Sequence, residues 1–255
     1  MIAHLNDHEM FYEIRGSGKP IFLLHGLALD HSIWLEMADY YADQAQFIIP
    51  DLRGHGHTPL GDADATLEQF ARDVICLADH LGHKEFTLAG HSMGGYVALA
   101  LAEMHPDRLA GLALVTSNAR ADSPEKREGR LGDARSVLIE GTERIANTLI
   151  QRLMPDGELA QPDEHLCEIV LNTSPEGFAN VLTAIANRPN RLAVVQTLSC
   201  PVLTIAGDKD QILPVEVTLE PAGYARDGRR VFLPGVGHMP MIEVPLTLGA
   251  LLVSM

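Results

Sequence analysis

Gly90-His91-Ser92-Met93-Gly94 sets one serine between glycines, after an apolar run and before an Ala- and Leu-rich run of helical character. A G-x-S-x-G segment between a strand and a helix is a sharp, strained turn that lifts the serine hydroxyl above a sheet edge. The helix that starts there presents unpaired N–H groups and its positive dipole end to whatever binds. A serine hydroxyl is a poor nucleophile until a base takes its proton. Among 12 histidines, His238 is the candidate base, because Leu233-Pro-Gly-Val-Gly-His238-Met-Pro is a Gly- and Pro-rich loop just after the last strand. The others have plainer readings: His80 and His83 flank a helix end, His105 lies in a helix C-terminal turn, and His91 shapes the turn beside Ser92. The base in turn needs a carboxylate to fix its tautomer. Ala206-Gly-Asp208-Lys-Asp210-Gln-Ile-Leu-Pro214 offers two, Asp208 and Asp210.

Alternating strands and helices must position these groups. Residues 10–15, 20–24, 46–50, 84–89, 109–116, 201–206 and 229–233 read as strands. Residues 32–43, a stretch from Thr66 to just before Gly82, 92–103 and 240–253 read as helices, the last despite Pro245. The alternation implies α/β architecture, a mainly parallel sheet with helices on both faces. Residues 119–198 break the rhythm. They contain helical patterns at 144–153 and 164–171, breakers at Pro155, Gly157, Pro162, Pro175 and Pro189, and no convincing strand. The expected organisation is therefore a core of residues 1–118 and 199–255 with a helical cap, 119–198, inserted at the sheet end where ligands bind.

Composition narrows the partners. The 255 residues suffice for one large domain, able to bury about three quarters of its unfolded surface without disulfide or metal. With 34 acidic and 19 basic residues the formal charge is −15, which argues against nucleic acid and against an anionic membrane surface. Three scattered cysteines without a CxxC pair fit a reduced, cytoplasmic setting. The first residues show no basic-then-apolar leader, and no apolar run approaches membrane-spanning length. A small-molecule substrate is the expectation, with no call on oligomeric state.

The set Leu24-His25-Gly26-Leu27, Asp51-Leu-Arg-Gly-His-Gly56, Gly90-His-Ser-Met-Gly94, Gly207-Asp-Lys-Asp-Gln-Ile-Leu-Pro214 and Gly237-His238 resembles the α/β-hydrolase superfamily, in particular cap-bearing carboxylesterases and 3-oxoadipate enol-lactonase-like serine hydrolases. The likeness runs along nearly the whole chain, and the order Ser, Asp, His is the one given for this fold. The resemblance implies a triad of Ser92, Asp210 and His238, selecting Asp210 over Asp208 by its spacing from the glycine and proline around it. It implies an oxyanion hole from the backbone N–H groups of Leu27 and Met93, and it implies no cofactor. The activity it implies is cleavage of small carboxylic esters through an acyl-serine. Alternatives are lactone hydrolysis, carbon–carbon bond hydrolysis with the same triad, and ligand binding on a hydrolase scaffold. Haloalkane dehalogenases and epoxide hydrolases of this fold use aspartate where Ser92 stands, and no tyrosine occurs in 119–198, so neither is expected.

Substrate contacts are assigned to His25, Trp34 and Arg188. His25-Gly26 is alternatively a plain turn, and Trp34 is expected to pack a helix near the site entrance. Arg188 and Arg191 suit a substrate carboxylate, although a salt bridge between cap and core is the preferred reading. His55-Gly-His57 lacks a nearby third ligand motif, so no metal is called. With Phe178 its single aromatic residue, the cap suggests an acyl chain or a small aliphatic ring.

Overall fold

A computed structural model describes residues 1–5, 8–61, 66–154 and 164–255. Among these, eight strands form one sheet: β1 (Ile2–His4), β2 (Glu9–Gly16), β3 (Pro20–Leu24), β4 (Gln46–Pro50), β5 (Phe86–His91), β6 (Leu109–Val115), β7 (Val202–Gly207) and β8 (Gly228–Leu233). Their order is β1-β2-β4-β3-β5-β6-β7-β8. β2 pairs antiparallel with β1 and β4, and every pairing from β4 to β8 is parallel. The short strand β1 is an addition to the elements read from sequence.

The inner strands are nearly continuous apolar runs because both faces are covered. Every residue of β5 and β7 is buried. Successive side chains still divide between faces. Phe22 and Leu24 enter one core with Phe70, Val74, Val97 and Leu101. Leu23 enters the other with Phe47, Ile49, Trp34, Met37 and Leu248. Each such side chain contributes about 1.5–3 kcal/mol on burial.

The helices of the first half are α1 (Leu35–Tyr40), α2 (Leu67–His80) and α3 (Met93–Met104). The helix read at 32–43 is shorter: a 3-10 turn, His31–Trp34, precedes α1, and the chain leaves the helix at Tyr41. Thr66 caps α2 by accepting the Gln69 N–H at 3.1 Å. Between β6 and β7 the described chain carries α4 (Pro124–Glu140), α5 (Glu143–Leu153), α6 (Glu164–Asn172), α7 (Pro175–Ala186) and α8 (Leu192–Thr197), and no strand. Pro155, Gly157 and Pro162 lie outside the described residues. Pro175, read as a breaker, instead starts α7. Proline fits the first helical position, whose N–H is unpaired anyway, and Ser174 caps the turn by accepting the Gly177 N–H. Ser123 and Pro124 start α4 in the same way.

Where this insertion leaves and rejoins the core, the Arg191 N–H donates to the Ala119 carbonyl at 2.7 Å. The Arg191 side chain then pairs with Glu68 on α2 and, at 2.9 Å, with Glu103 on α3. The chain ends with α9 (Val215–Leu219), α10 (Pro240–Glu243) and α11 (Pro245–Val253). Pro245 forces Val244 out of helical geometry, to φ −142° and ψ 56°, and splits the run read as one helix. Among the described residues no helix is long and apolar enough to cross a membrane.

Candidate active site

Ser92 sits between the last residue of β5 and the first of α3, at φ 50° and ψ −114°. A non-glycine residue held there costs of order 1–3 kcal/mol, so the surroundings must fix it. A side chain at Gly90 would strike the Gly94 carbonyl, and one at Gly94 would come within 2.5 Å of the Leu24 carbonyl oxygen. The two flanking glycines thus let α3 start directly against β3 and β5. The Ser92 N–H donates to the Val115 carbonyl at 3.0 Å, and the Ser92 carbonyl accepts from Ser117 Oγ at 2.6 Å. Ser92 and His238 line one cavity of about 620 Å³.

His238 Nδ1 lies 2.8 Å from Asp210 Oδ2, with both side chains almost fully buried. The imidazole donates through Nδ1, which leaves Nε2 as a free lone pair. Asp210 is itself fixed, because its Oδ1 accepts the N–H groups of Ile212 and Leu213 at 2.7 and 3.0 Å. Asp208, the other candidate, accepts the Gly235 N–H at 2.6 Å and ties the β7 loop to the β8 loop instead.

The main chain around His238 is held from several directions. Glu243 accepts the Gly237 N–H at 2.7 Å through Oε2 and the Met239 N–H at 2.9 Å through Oε1. The His238 N–H donates to the Leu153 carbonyl at the end of α5. The His238 carbonyl accepts from His91 Nε2 at 2.9 Å and from Thr116 Oγ1 at 3.0 Å. Burial, with the nearby His238 second, pushes the His91 pKa well below the ordinary imidazole value, so its ring is neutral. Its proton is on Nε2, and among the described residues Nδ1 is a buried acceptor without a partner. Burial raises the Glu243 carboxyl above its ordinary value, against the lowering by the two N–H bonds. His91, Thr116, Ser117 and Glu243 carry no motif signal for this role. Their polar types in otherwise apolar segments are the single local hint.

The expected substrate contacts fare differently. His25 is buried and accounts for both ring nitrogens within the protein. Nδ1 donates to the Gly26 carbonyl at 2.8 Å, and Nε2 accepts the Leu52 N–H at 2.8 Å. It braces the loop after β3 against the loop after β4 and stands outside the cavity lining. Burial lowers its pKa. Trp34 is also fully buried, within the core on the α1 face, and does not reach the cavity. Both assignments are corrected: the apolar ring of Trp34 is spent on packing, and the polar atoms of His25 on the backbone. Arg188 does line the cavity, but its guanidinium donates to the Arg120 and Ile185 carbonyls and to Asp122 Oδ1 at 2.8 Å. It also stacks 4.2 Å over the Tyr96 ring. Its ion pair is therefore within residues 119–198, while Arg191 makes the pair to the core.

Leu27 lines the cavity, and Met93 opens α3. Among the described residues neither amide donates to another backbone group. In the loop after β4, Asp51 accepts from His31 N–H, His31 Nδ1 and His57 N–H at 2.7, 2.7 and 2.8 Å. Asp30, His31 and Asp51 cluster closely enough for a metal, yet these hydrogen bonds already occupy the Asp51 oxygens. Burial pushes the pKa of the neighbouring His55 down to about 3.

Comparison with known proteins agrees with this architecture. The sequence profile described as alpha/beta hydrolase fold matches residues 19–245. The chain is 31% identical over 196 residues to "3-oxoadipate enol-lactonase 2" of Acinetobacter baylyi, a match covering 75% of this chain and 71% of that one. A thermophilic esterase from Thermogutta terrifontis, solved with malate bound, superposes with a TM-score of 0.93 at 34% identity, covering 98% of this chain and 96% of the other. The enol-lactonase of Burkholderia xenovorans superposes at 0.90 with 27% identity, covering 100% of this chain and 98% of its own. With a strained serine turn, a buried Asp–His pair and a helical insertion on one mainly parallel sheet, this chain belongs to the alpha/beta hydrolase family.

Proposed function

We propose that the chain is a serine hydrolase that cleaves carboxylic ester bonds of small molecules through an acyl-serine. The observation that carries this reading is the buried His238–Asp210 pair opening onto the same cavity as Ser92 on its strained turn. Ser92 attacks the carbonyl carbon and gives its proton to His238 Nε2. Asp210 stabilises the imidazolium through Nδ1. The oxyanion is received by the amides of Leu27 and Met93, the second at the positive end of α3. His238 then protonates the leaving alkoxide, the acyl-Ser92 ester forms, and water activated by His238 releases the acid. No cofactor enters these steps.

Lactones are the second reading. A lactone is an internal ester, so the same steps open it without loss of an alcohol. The similarity to two enol-lactonases favours this substrate form. The test is hydrolysis of p-nitrophenyl esters from acetyl to dodecanoyl, beside labelling by a fluorophosphonate read by mass spectrometry. Turnover peaking at one chain length, with label on Ser92 that vanishes in Ser92→Ala, supports the esterase. A labelled serine without ester turnover moves weight to lactones or carbon–carbon bonds. An unlabelled Ser92 overturns the nucleophile.

A further inference from the structure

His91 is the last residue of β5, one before the nucleophile, and it lines the cavity. It is fully buried, and the proposed proton transfers do not use it. Two edges of its ring bear on two different loops. On one edge Nε2–H donates to the His238 carbonyl at 2.9 Å, and the two imidazole centroids lie 4.9 Å apart. The other edge faces the loop after β3. A side chain at Gly26 would come within 2.8 Å of His91 Nδ1 and 3.0 Å of its Cε1. Among the described residues Nδ1 has no hydrogen-bond partner, so this edge acts by contact alone.

Gly26 is not one of the glycines held at positive φ. Its backbone would admit other residues, and the space claimed by the His91 ring is what requires a glycine. The consequence falls on the next amide. The Gly26 C=O and the Leu27 N–H belong to one planar peptide, in which they point in opposite directions. The Gly26 carbonyl accepts His25 Nδ1–H at 2.8 Å and the Leu29 N–H at 3.3 Å. The Leu27 N–H therefore points away from those two donors. Ala28 follows at φ 56°, which leaves the turn little slack. With its oxygen tied and its first Cα set against an imidazole, this peptide has a fixed plane.

We propose that His91 is a positioning residue whose ring is the spacer between the base, reached through the His238 carbonyl, and the oxyanion donor, reached through Gly26. The proposal rests on the reading of Ser92 as an ester-cleaving nucleophile with the Leu27 amide in its oxyanion hole. Burial, with His238 second, keeps the spacer neutral. No like charge then stands beside the imidazolium that forms at His238.

The experiment is an exchange of bulk, read in kcat and KM for a p-nitrophenyl ester. Gly26→Ala pushes a methyl group into the ring and should lower kcat about a hundredfold, with KM within about threefold. His91→Ala removes the ring and should lower kcat about thirtyfold. The double variant makes room for the methyl group, so it should be no slower than His91→Ala alone, whereas independent effects would multiply. His91→Gln keeps a neutral N–H donor and should stay within about tenfold of the unaltered protein. His91→Phe keeps the ring without the donor, should lower kcat about tenfold, and replaces His91→Ala if that variant does not fold. Losses that multiply, losses carried by KM, or an unchanged kcat in the His91 variants overturn the proposal. If the unaltered protein turns over no ester, the reading of Ser92 falls, and urea midpoints test the spacer by itself. A midpoint lowered by Gly26→Ala and not lowered further by it in His91→Ala then supports the spacer, and additive losses remove it.

Discussion

The loop that carries His238 and the cavity wall that carries Lys126 and Arg152 bound the same space, yet they are built on opposite terms. Around His238 the backbone of three consecutive residues is tied to Glu243, Leu153, His91 and Thr116, which are drawn from four separate segments of the chain. On the wall, two exposed side chains end in charges that, among the described residues, meet no carboxylate. Reacting groups need placement within a fraction of an ångström, which main-chain ties supply. Long exposed side chains keep much of their rotamer freedom and set no such register.

Perturbing the rigid half should have the larger effect. Ser92→Ala and His238→Ala should each lower kcat by about four to six orders of magnitude, since triad members fail as a unit. Residual single-turnover acylation in Ser92→Ala, watched by burst kinetics, would break the comparison at its root. Asp210→Asn should cost about 10⁴-fold by favouring the wrong imidazole tautomer. Asp208→Asn, at the same loop but bonded to Gly235, should stay within about tenfold, and equal losses in the two would refute the assignment of Asp210. Glu243→Gln keeps the shape but can accept only one of the two flanking N–H groups. A fall in kcat of about tenfold, with KM little changed, is the expected result, corresponding to about 1.4 kcal/mol at the transition state.

Stability against pH is a separate test, of the fold and not of the reaction. His25, His55 and His91 are buried with pKa values depressed below that of free imidazole. The unfolded chain therefore binds protons near pH 6.5 that the folded chain refuses. Stability is full above that pH and falls as pH drops below it, by up to about 1.4 kcal/mol per pH unit for each such histidine. Asp51 and Asp122, whose carboxyls are lowered, add losses of the same sign at more acidic pH. Urea midpoints at successive pH values should decline from pH 7 toward pH 4, and a flat profile would contradict neutral burial of these rings.

Much of the rigid half is legible in sequence because its parts are local. Gly90 to Gly94 encodes a turn in five residues, and strand-loop contexts mark His238 and the pair Asp208 and Asp210, between which the family resemblance selects. What surrounds them is not local. Thr116 meets the His238 carbonyl across 122 residues and His91 meets it across 147, distances at which a threonine or histidine carries no pattern. Trp34 and His25 mislead for a different reason. Their side-chain types suit ligands, but each is consumed by the fold, the indole by the core and the imidazole by two backbone groups. Pro175 misleads because proline interrupts a helix only past its first turn. The pair Lys126 and Arg152 escapes notice because it comes from separate helices of the insertion, within a chain whose overall charge is negative.

Ala119 and Arg191 lie one hydrogen bond apart. Everything between them is, for the sheet, a detour that returns to its starting point. Closing such a loop depends only weakly on its length, about 0.6 kcal/mol for each doubling. The β6–β7 junction can therefore accept a shorter, longer or unrelated segment at little cost in closure, with the Leu153 carbonyl that accepts the His238 N–H as the tie such a segment must replace. Such a junction makes the molecule a socket with a replaceable fitting: the reaction stays with the sheet, and the choice of substrate travels with whatever is plugged in.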